Sequence, residues 1–485
     1  MKNCFPNKDE FFELSKIYNY IPVYIELDAN GETPVSIYKK IVKSPYSFLL
    51  ESVEGDESVA RYSFIGVNPK EIIKTGSNEK NGEVDPLGLL ESAMKNINFA
   101  PLKELPKFHG GAVGFLSYET VTYIEPSVEK SAKSLTYTPE SVFMIGSSLV
   151  IFDHVKKSII IVVHADLRNS NNNEDTYKET LESIAEIIND LEKDILPEKS
   201  QENSDFDNSS IVHITEKARY QEMVKKTKEL INQGEMIQAV LSQKLTKKIN
   251  VSPINIFQSL RKINPSPYMF LLDLDDFHII GSSPELLVQV VDGLVAAHPI
   301  AGTRARGKNE KEDQELEKEL LNDEKELAEH LMLLDLGRND VGKVSSPGSV
   351  KVTQQMEIEK YSHVMHIVSH VTGNLSNEYN PFDVLKSAFP AGTVSGAPKV
   401  RAMQLISEEE KYQRGPYSGA VGYFSFNGNM DTAIAIRTIV LKDGIAYLQA
   451  GAGIVSDSVP EREYQECLDK MGALIKAIEY AEENY

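Results

Sequence analysis

Tryptophan is absent from the 485 residues, and cysteine occurs only twice, at Cys4 and Cys467. Two thiols give neither a disulfide framework nor a multi-cysteine metal site, which suits a reducing compartment. No apolar run approaches the roughly 20 residues that a spanning helix needs. The opening MKNCFPNKDEFFELSK puts polar residues where a signal peptide carries its apolar stretch. The expectation is a soluble, cytoplasmic protein. Basic charge is also scarce: Lys+Arg total 51 against Asp+Glu 72, a net charge of −21. That balance argues against nucleic acid and against an anionic membrane surface, both of which call for basic patches. A small anionic substrate is still allowed, because local arginines and a metal can outweigh the global field. The chain has no Gly-Lys-Ser/Thr phosphate loop, no His-Glu-x-x-His and no Gly-x-Ser-x-Gly, so ATP, zinc and covalent acyl chemistry lack support.

What is present is the balance of a globular protein, 41% hydrophobic and 25% charged. Residues 20–165 read mainly as short strands, with β-rich runs at 142–152 and 158–164 forming a hairpin. A helical pattern follows through Leu181, Ile184, Ile187, Ile188 and Leu191. Residues 196–210 are acidic, serine-rich and aperiodic, the best candidate for a linker. The organisation expected is an amino-terminal region 1–195, the linker 196–210 and a carboxy-terminal domain 211–485. Beyond the linker, a helix is expected at 216–233 and others at 310–336, 380–388, 398–408 and 459–482. Asp292-Gly293, Asn427-Gly428 and Asp443-Gly444 sit between apolar runs as hairpin turns, the last two within a three-stranded meander. Strands and helices do not alternate strictly, so the fold class expected is α+β.

Four constellations could carry chemistry. Glu326 and Glu329 share a helix face beside a stripe of Leu327, Leu331 and Leu334. Asp323 and Glu326 also have capping-box spacing, and Gly337 suits a helix stop, so a capped, solvated helix is the simpler account of this segment alone. Glu463, Glu466, Cys467 and Lys470 share a face of the last helix, with Tyr464, Leu468, Met471 and Ile475 on another. Two Glu-x-x-Glu helices together suit Mg²⁺, which takes oxygen ligands and keeps waters. In FPAGTVSGAPKVRAMQLI, Thr393 and Ser395 offer hydroxyls, Gly392 and Gly396 allow close approach, and Pro398 can open a helix whose free N–H groups receive an anion. In a strand over 432–440, Arg437 shares its face with Ala433 and Ala435, which leaves room for a carboxylate clamp. GAGIV adds a close-approach backbone. His366, with His363 and His370 nearby, lacks a metal-ligand signature, and by itself reads as a hydrogen-bonded core histidine. Cys467 reads as buried and inert.

In combination and in order, these segments resemble the chorismate-utilising enzyme family. The strings are GSSPELL, PIAGTRARG, EKELAEHLMLLDLGRNDVGKV, YSHVMHIVSHVTG, FPAGTVSGAPKVRAMQLI, RGPYSGAVGYF, AIRTIV and QAGAGIVSDSVPEREYQECLDKMGAL, spanning residues 211–480. The resemblance implies a two-lobed fold of packed antiparallel sheets with outer helices. Members that add water to chorismate carry a lysine where Gln238 stands, and aminodeoxychorismate-forming members carry one where Ala301 stands. Both substitutions favour the anthranilate-forming branch, with aminodeoxychorismate formation or an inactive regulatory relative as alternatives.

By the same resemblance, Glu326, Glu329, Glu463 and Glu466 hold Mg²⁺ directly or through water. Tyr417, Arg437 and the backbone of Gly451, Ala452 and Gly453 bind the enolpyruvyl carboxylate, and Gln238 also lies against the substrate. Thr393 and Lys470 fix it at the metal side. Glu285 is the implied acid for the leaving hydroxyl, and His366 acts in the later elimination of pyruvate. LLESVEG at 49–55 and NPSPYMF at 264–270 resemble a tryptophan feedback site, with Leu50, Glu51, Ser52, Pro267, Tyr268, Met269, Val421 and Tyr423 against the inhibitor. Residues 1–210 contain no cysteine but Cys4, which implies that ammonia comes from a separate glutamine amidotransferase subunit.

Overall fold

A computed structural model describes residues 4–53, 61–131, 133–195, 211–361 and 364–485. The linker 196–210, Gly55 and His363 lie outside the described residues. Two turns of the kind expected set their strand pairings. Asp292 and Gly293 both take positive φ, 50° and 79°, and close Val291 onto Leu294. Asp443 and Gly444 do the same at 51° and 70° and close Lys442 onto Ile445. This double left-handed turn matches the twist of the strands it joins. Asn427-Gly428 belongs to a longer loop, in which Ser425 N donates to Asn429 O and the strands close at Phe424 and Met430.

Two antiparallel sheets result, of 12 and 10 strands among the described residues. Each takes strands from both sides of 196–210. In the larger sheet Ser47–Glu51 pairs with Tyr268–Asp273, and in the smaller Gly111–Leu116 pairs with Ala420–Ser425. Phe48, Phe115, Phe270 and Phe277 are buried in the core between the sheets. Each contributes about 1.5–3 kcal/mol by leaving water. Helices cover the outer faces: Asn173–Leu191, Pro253–Ile263, Lys399–Glu409 and Pro460–Asn484 on the larger sheet, Glu324–Gly342 and Pro381–Ala388 on the smaller. The α+β class and the packed-sheet architecture with outer helices are as expected.

The chain departs from expectation mainly where it passes from one sheet to the other. The run 142–152 is two strands, Ser141–Ile145 in the smaller sheet and Ser148–Asp153 in the larger, separated at Gly146 with φ 65°. The strand expected over 432–440 is likewise two. Met430–Ile434 belongs to the smaller sheet and Thr438–Lys442 to the larger, so the three-stranded meander is two hairpins in two sheets. Arg437 stands in the crossing with φ 48° and is not a strand residue.

The helical segments also need correction. The helix expected over 310–336 is two, Glu310–Leu321 and Glu324–Gly342. Asp323 caps the second by accepting from Lys325 N and Glu326 N, but Glu326 does not return the bond, because its carboxylate faces Arg304. Gly337 is mid-helix; a Cβ there would meet Pro299 Cγ at 3.1 Å, so close packing accounts for it. Leu331 is 48% exposed, and the buried positions are His330, Leu333, Leu334, Asp340 and Val341. Pro398 is the N-cap of Lys399–Glu409, one position before the helix proper. Cys4 is buried beside the bridge between Phe5 and Tyr24.

Candidate active site

Two strand pairs cross between the sheets side by side, and the polar groups of the site stand in that crossing. Phe277–Ser283 leads to Leu286–Val291 on one chain segment, and Met430–Ile434 leads to Thr438–Lys442 on the other. Glu285 O accepts from Ile434 N at 3.0 Å, and Arg437 O accepts from Ser282 N at 3.1 Å. These two backbone bonds tie the crossing segments together at Glu285 and Arg437. Burial pushes the Glu285 carboxyl up to about 7, against smaller opposing effects of Thr393, Lys470, His298 and Arg437. The Thr393 hydroxyl bears on Glu285 from the short turn Gly392–Ser395, yet it is buried and lies outside hydrogen-bond geometry with any protein partner. A buried hydroxyl without a partner is costly unless something else meets it.

The strand Ile445–Ile454 brings the glycine backbone alongside. A Cβ at Gly453 would fall 2.2 Å from Gln238 Nε2, and one at Gly451 would fall 2.9 Å from Tyr417 Oη, so neither position has room for a side chain. Lys470 Nζ donates to Gly451 O at 3.0 Å and pairs with Glu466 at 2.8 Å. Gln238 Nε2 donates to Glu329 at 3.1 Å, which links the helix Glu324–Gly342 to this strand. Glu285, Thr393, Arg437 and Lys470 thus share one electrostatic environment, and Gln238, Tyr417 and the glycines adjoin it.

The four glutamates stand as two pairs on two helices. Among the described residues, no three carboxylate, imidazole or thiol groups gather closely enough to form a ready metal site. Burial, with Glu329 as a like-charged neighbour, raises the Glu326 carboxyl although Arg304 Nη1 lies 3.3 Å away. Burial, with Glu466 nearby, raises Glu463 in the same sense. The two pairs offer an all-oxygen donor set, which fits a hard divalent cation that keeps several waters.

His366, on the strand Val364–Asn374, places Nδ1 3.0 Å from Thr303 Oγ1 and 3.1 Å from Gly302 O. Burial lowers its pKa, and Arg437 acts in the same sense, so the imidazole is held neutral and the two groups bear on each other. His370 bonds instead to Thr353, with Nδ1 2.7 Å from Oγ1. Cys467 is buried beside Tyr220 Oη at 3.2 Å, with its thiol pushed up to about 11 by burial, so it is inert.

All eight residues expected at a regulatory pocket line one cleft of about 970 Å³. Leu50, Glu51 and Ser52 come from one wall, Pro267, Tyr268 and Met269 from the next, and Val421 and Tyr423 from a third. Arg261 clamps Glu51 with bonds of 2.9 and 3.1 Å, and Phe108 stacks on Tyr423 at 4.1 Å. Asp431, which the sequence reading missed, also lines the cleft. Burial pushes its carboxyl up to about 6, Oδ2 accepts from Gln289 at 2.7 Å, and Oδ1 is without a protein partner.

Arg414 was missed as well. It lies under the site with 4% of its surface exposed. It bonds Glu410 at 2.6 and 2.9 Å, Val394 O at 2.7 Å and Val240 O at 2.6 Å, and it stacks over Tyr118 and Tyr417. One guanidinium thereby ties together the segments carrying Thr393, Gln238 and Tyr417. No local signal marks it, since the RGPYSG string shows an arginine but not its burial.

Residues 45–476 match the model of the chorismate binding enzyme family. Anthranilate synthase component 1 of Acetivibrio thermocellus is 47% identical, covering 99% of this chain and 99% of that one. Its counterpart from Aquifex aeolicus is 46% identical with 98% of each chain covered. Among solved structures, anthranilate synthase component I of Streptococcus pneumoniae superposes with a TM-score of 0.76 at 37% identity, over 92% of this chain and 99% of that one. The menaquinone-specific isochorismate synthase of Escherichia coli has the same fold, with a TM-score of 0.73 at 16% identity over 96% and 98%.

Proposed function

The chain belongs to the chorismate binding enzyme family, and from that premise we propose that it forms anthranilate and pyruvate from chorismate and ammonia. In this reading it catalyses the first committed step of tryptophan biosynthesis, as the large subunit of an anthranilate synthase. The observation that carries the reading is Glu285, a carboxyl held near 7 beside Thr393, Arg437 and Lys470, with Gln238 and not lysine at the neighbouring position. A carboxyl that is still protonated near neutral pH can serve as a general acid. A glutamine cannot take a proton from water, which disfavours hydration of the ring.

In the first step the ammonia nitrogen bonds to C2 of chorismate as the C4–O bond breaks. Glu285 gives its proton to the departing hydroxide, which leaves as water. Arg437, Tyr417 and the backbone of Gly451, Ala452 and Gly453 hold the enolpyruvyl carboxylate, and Thr393 supplies its unpartnered hydroxyl near the reacting carbon. Glu326, Glu329, Glu463 and Glu466 are the proposed holders of Mg²⁺, which would set a positive charge against the ring carboxylate. In the second step the neutral imidazole of His366 accepts the ring proton at C2 as pyruvate is eliminated and the ring becomes aromatic.

Ammonia would come from a glutamine amidotransferase subunit, in keeping with relatives named as component 1. Tryptophan is the proposed occupant of the large cleft, bound as a feedback inhibitor by the residues around Ser52 and Tyr268. A cytoplasmic location fits this reading; among the described residues, no helix is long and apolar enough to cross a membrane. The test mixes the chain with chorismate, ammonium and Mg²⁺ and follows anthranilate fluorescence. A signal lost with EDTA and suppressed by tryptophan supports all three parts. Chorismate consumed without anthranilate would move the assignment to another branch of the family, and chorismate left intact would refute catalysis.

A further inference from the structure

If Glu285 gives its proton to the leaving hydroxide, that proton must be replaced before the next turnover. Glu285 lines a small cavity of about 50 Å³ together with Thr393 and His298. His298 also lines the large cleft, with Glu359 and Tyr361. Among the described residues it is the one titratable side chain common to both linings. His298 Nε2 lies 3.6 Å from Glu359 Oε1, slightly beyond a direct hydrogen bond and within reach of one after a small shift. Glu359 Oε2 accepts from Tyr361 Oη at 2.9 Å, which fixes the carboxylate on the cleft side. The other groups facing His298 are the His370 ring at 5.9 Å and His330, which burial holds neutral with a pKa pushed down to about 4. Lys470 also bears on Glu285, but its ammonium is engaged by Gly451 O and Glu466.

We infer that His298 is the proton-relay residue that reloads Glu285 from the cleft, with Glu359 as its partner on the solvent side. An imidazole can release a proton from one ring nitrogen while the other is recharged. The Glu285 proton leaves with hydroxide as water. The carboxylate then takes a proton from a ring nitrogen of His298, and the ring regains one from solvent beside Glu359. The nitrogen added to the ring sheds its extra proton to solvent, so the cycle balances. His298 acts through Glu285 and does not touch the substrate. The inference rests on the acid role proposed for Glu285.

The experiment is rapid mixing of the full chain with excess chorismate, ammonium and Mg²⁺ near neutral pH, following anthranilate fluorescence. His298→Gln, which keeps a polar group facing Glu359, and His298→Ala are compared with the parent chain. The expected result is a first turnover at the parent rate, because it draws on the Glu285 proton already in place at mixing, followed by a steady state at least about tenfold slower. Added imidazole should restore the steady state of His298→Ala. A first turnover slowed or lost in the same proportion as the steady state would mean a structural role and overturn the relay. An unchanged steady state would also overturn it, leaving Lys470 or direct solvent access to reload Glu285. A parent chain that makes no anthranilate refutes the proposed function itself, which keeps the two failures distinct.

Discussion

Replacing Glu285 with glutamine tests the site through stability as well as through activity. The carboxyl rises from 4.5 to about 7 on folding, chiefly because burial disfavours its charged form. The folded state thus holds this proton more tightly than the unfolded chain does. The associated stability is fully present below about pH 4.5 and is lost as pH rises through about 7. A shift of this size corresponds to about 3 kcal/mol. Glu285 is half-buried, so screening reduces the effective loss to about 2 kcal/mol. Glu285→Gln keeps the shape and removes the titration, so its advantage over the parent should be small at about pH 5 and near its full value at about pH 8. For a chain of 485 residues the unfolding entropy is about 1 kcal/mol/K, so the expected gain in Tm at the higher pH is about 2 °C. The assay is a matched pair of melting curves at each pH, with anthranilate formation measured on the same samples and expected to fall at least about 100-fold. A difference in Tm that does not change with pH would refute the claim that this carboxyl titrates near neutrality. Full activity in Glu285→Gln would refute its use as the acid.

Arg414→Met should destabilise the chain by about 4 kcal/mol, because it leaves the buried Glu410 carboxylate without its cation and frees two carbonyls. Adding Glu410→Gln should recover part of that loss, and denaturant titration of the two variants checks it. Ser52→Phe fills the cleft beside Glu51 and should relieve inhibition by tryptophan while anthranilate formation continues, as activity measured against inhibitor concentration would reveal. Retained tryptophan sensitivity would place the inhibitor elsewhere. His366→Met should accumulate the aminated, non-aromatic intermediate, visible by chromatography. Unchanged anthranilate output would exclude His366 from the elimination.

Much of the architecture is legible in the residue pattern, because turns and amphipathic faces are local. Asp292-Gly293 and Asp443-Gly444 are two-residue turns with both residues at positive φ, as their chemistry requires. The helices Lys217–Asn232 and Pro381–Ala388 begin and end within about two residues of the bounds read from apolar spacing. The family strings also reached the cleft: residues distant in sequence, from Leu50 to Tyr423, were named together because the resemblance supplied a proximity that periodicity cannot.

Sequence by itself determined the α+β class and the family, and it named together the residues that line one cleft. Tertiary structure decided where the chain changes sheets, and with it the surroundings of the reactive groups. Alternation along 432–440 reads as one strand because both halves are apolar, yet the chain turns at Arg437 and delivers its two halves to different sheets. Gly337 looks like a helix stop until Pro299 is seen packed against it. The Arg414 hub and the His298–Glu359 pair depend on contacts between residues far apart in the chain. A local pattern reports which face of an element is buried. It cannot report what that face is buried against, and the raised Glu285 carboxyl is a consequence of the second.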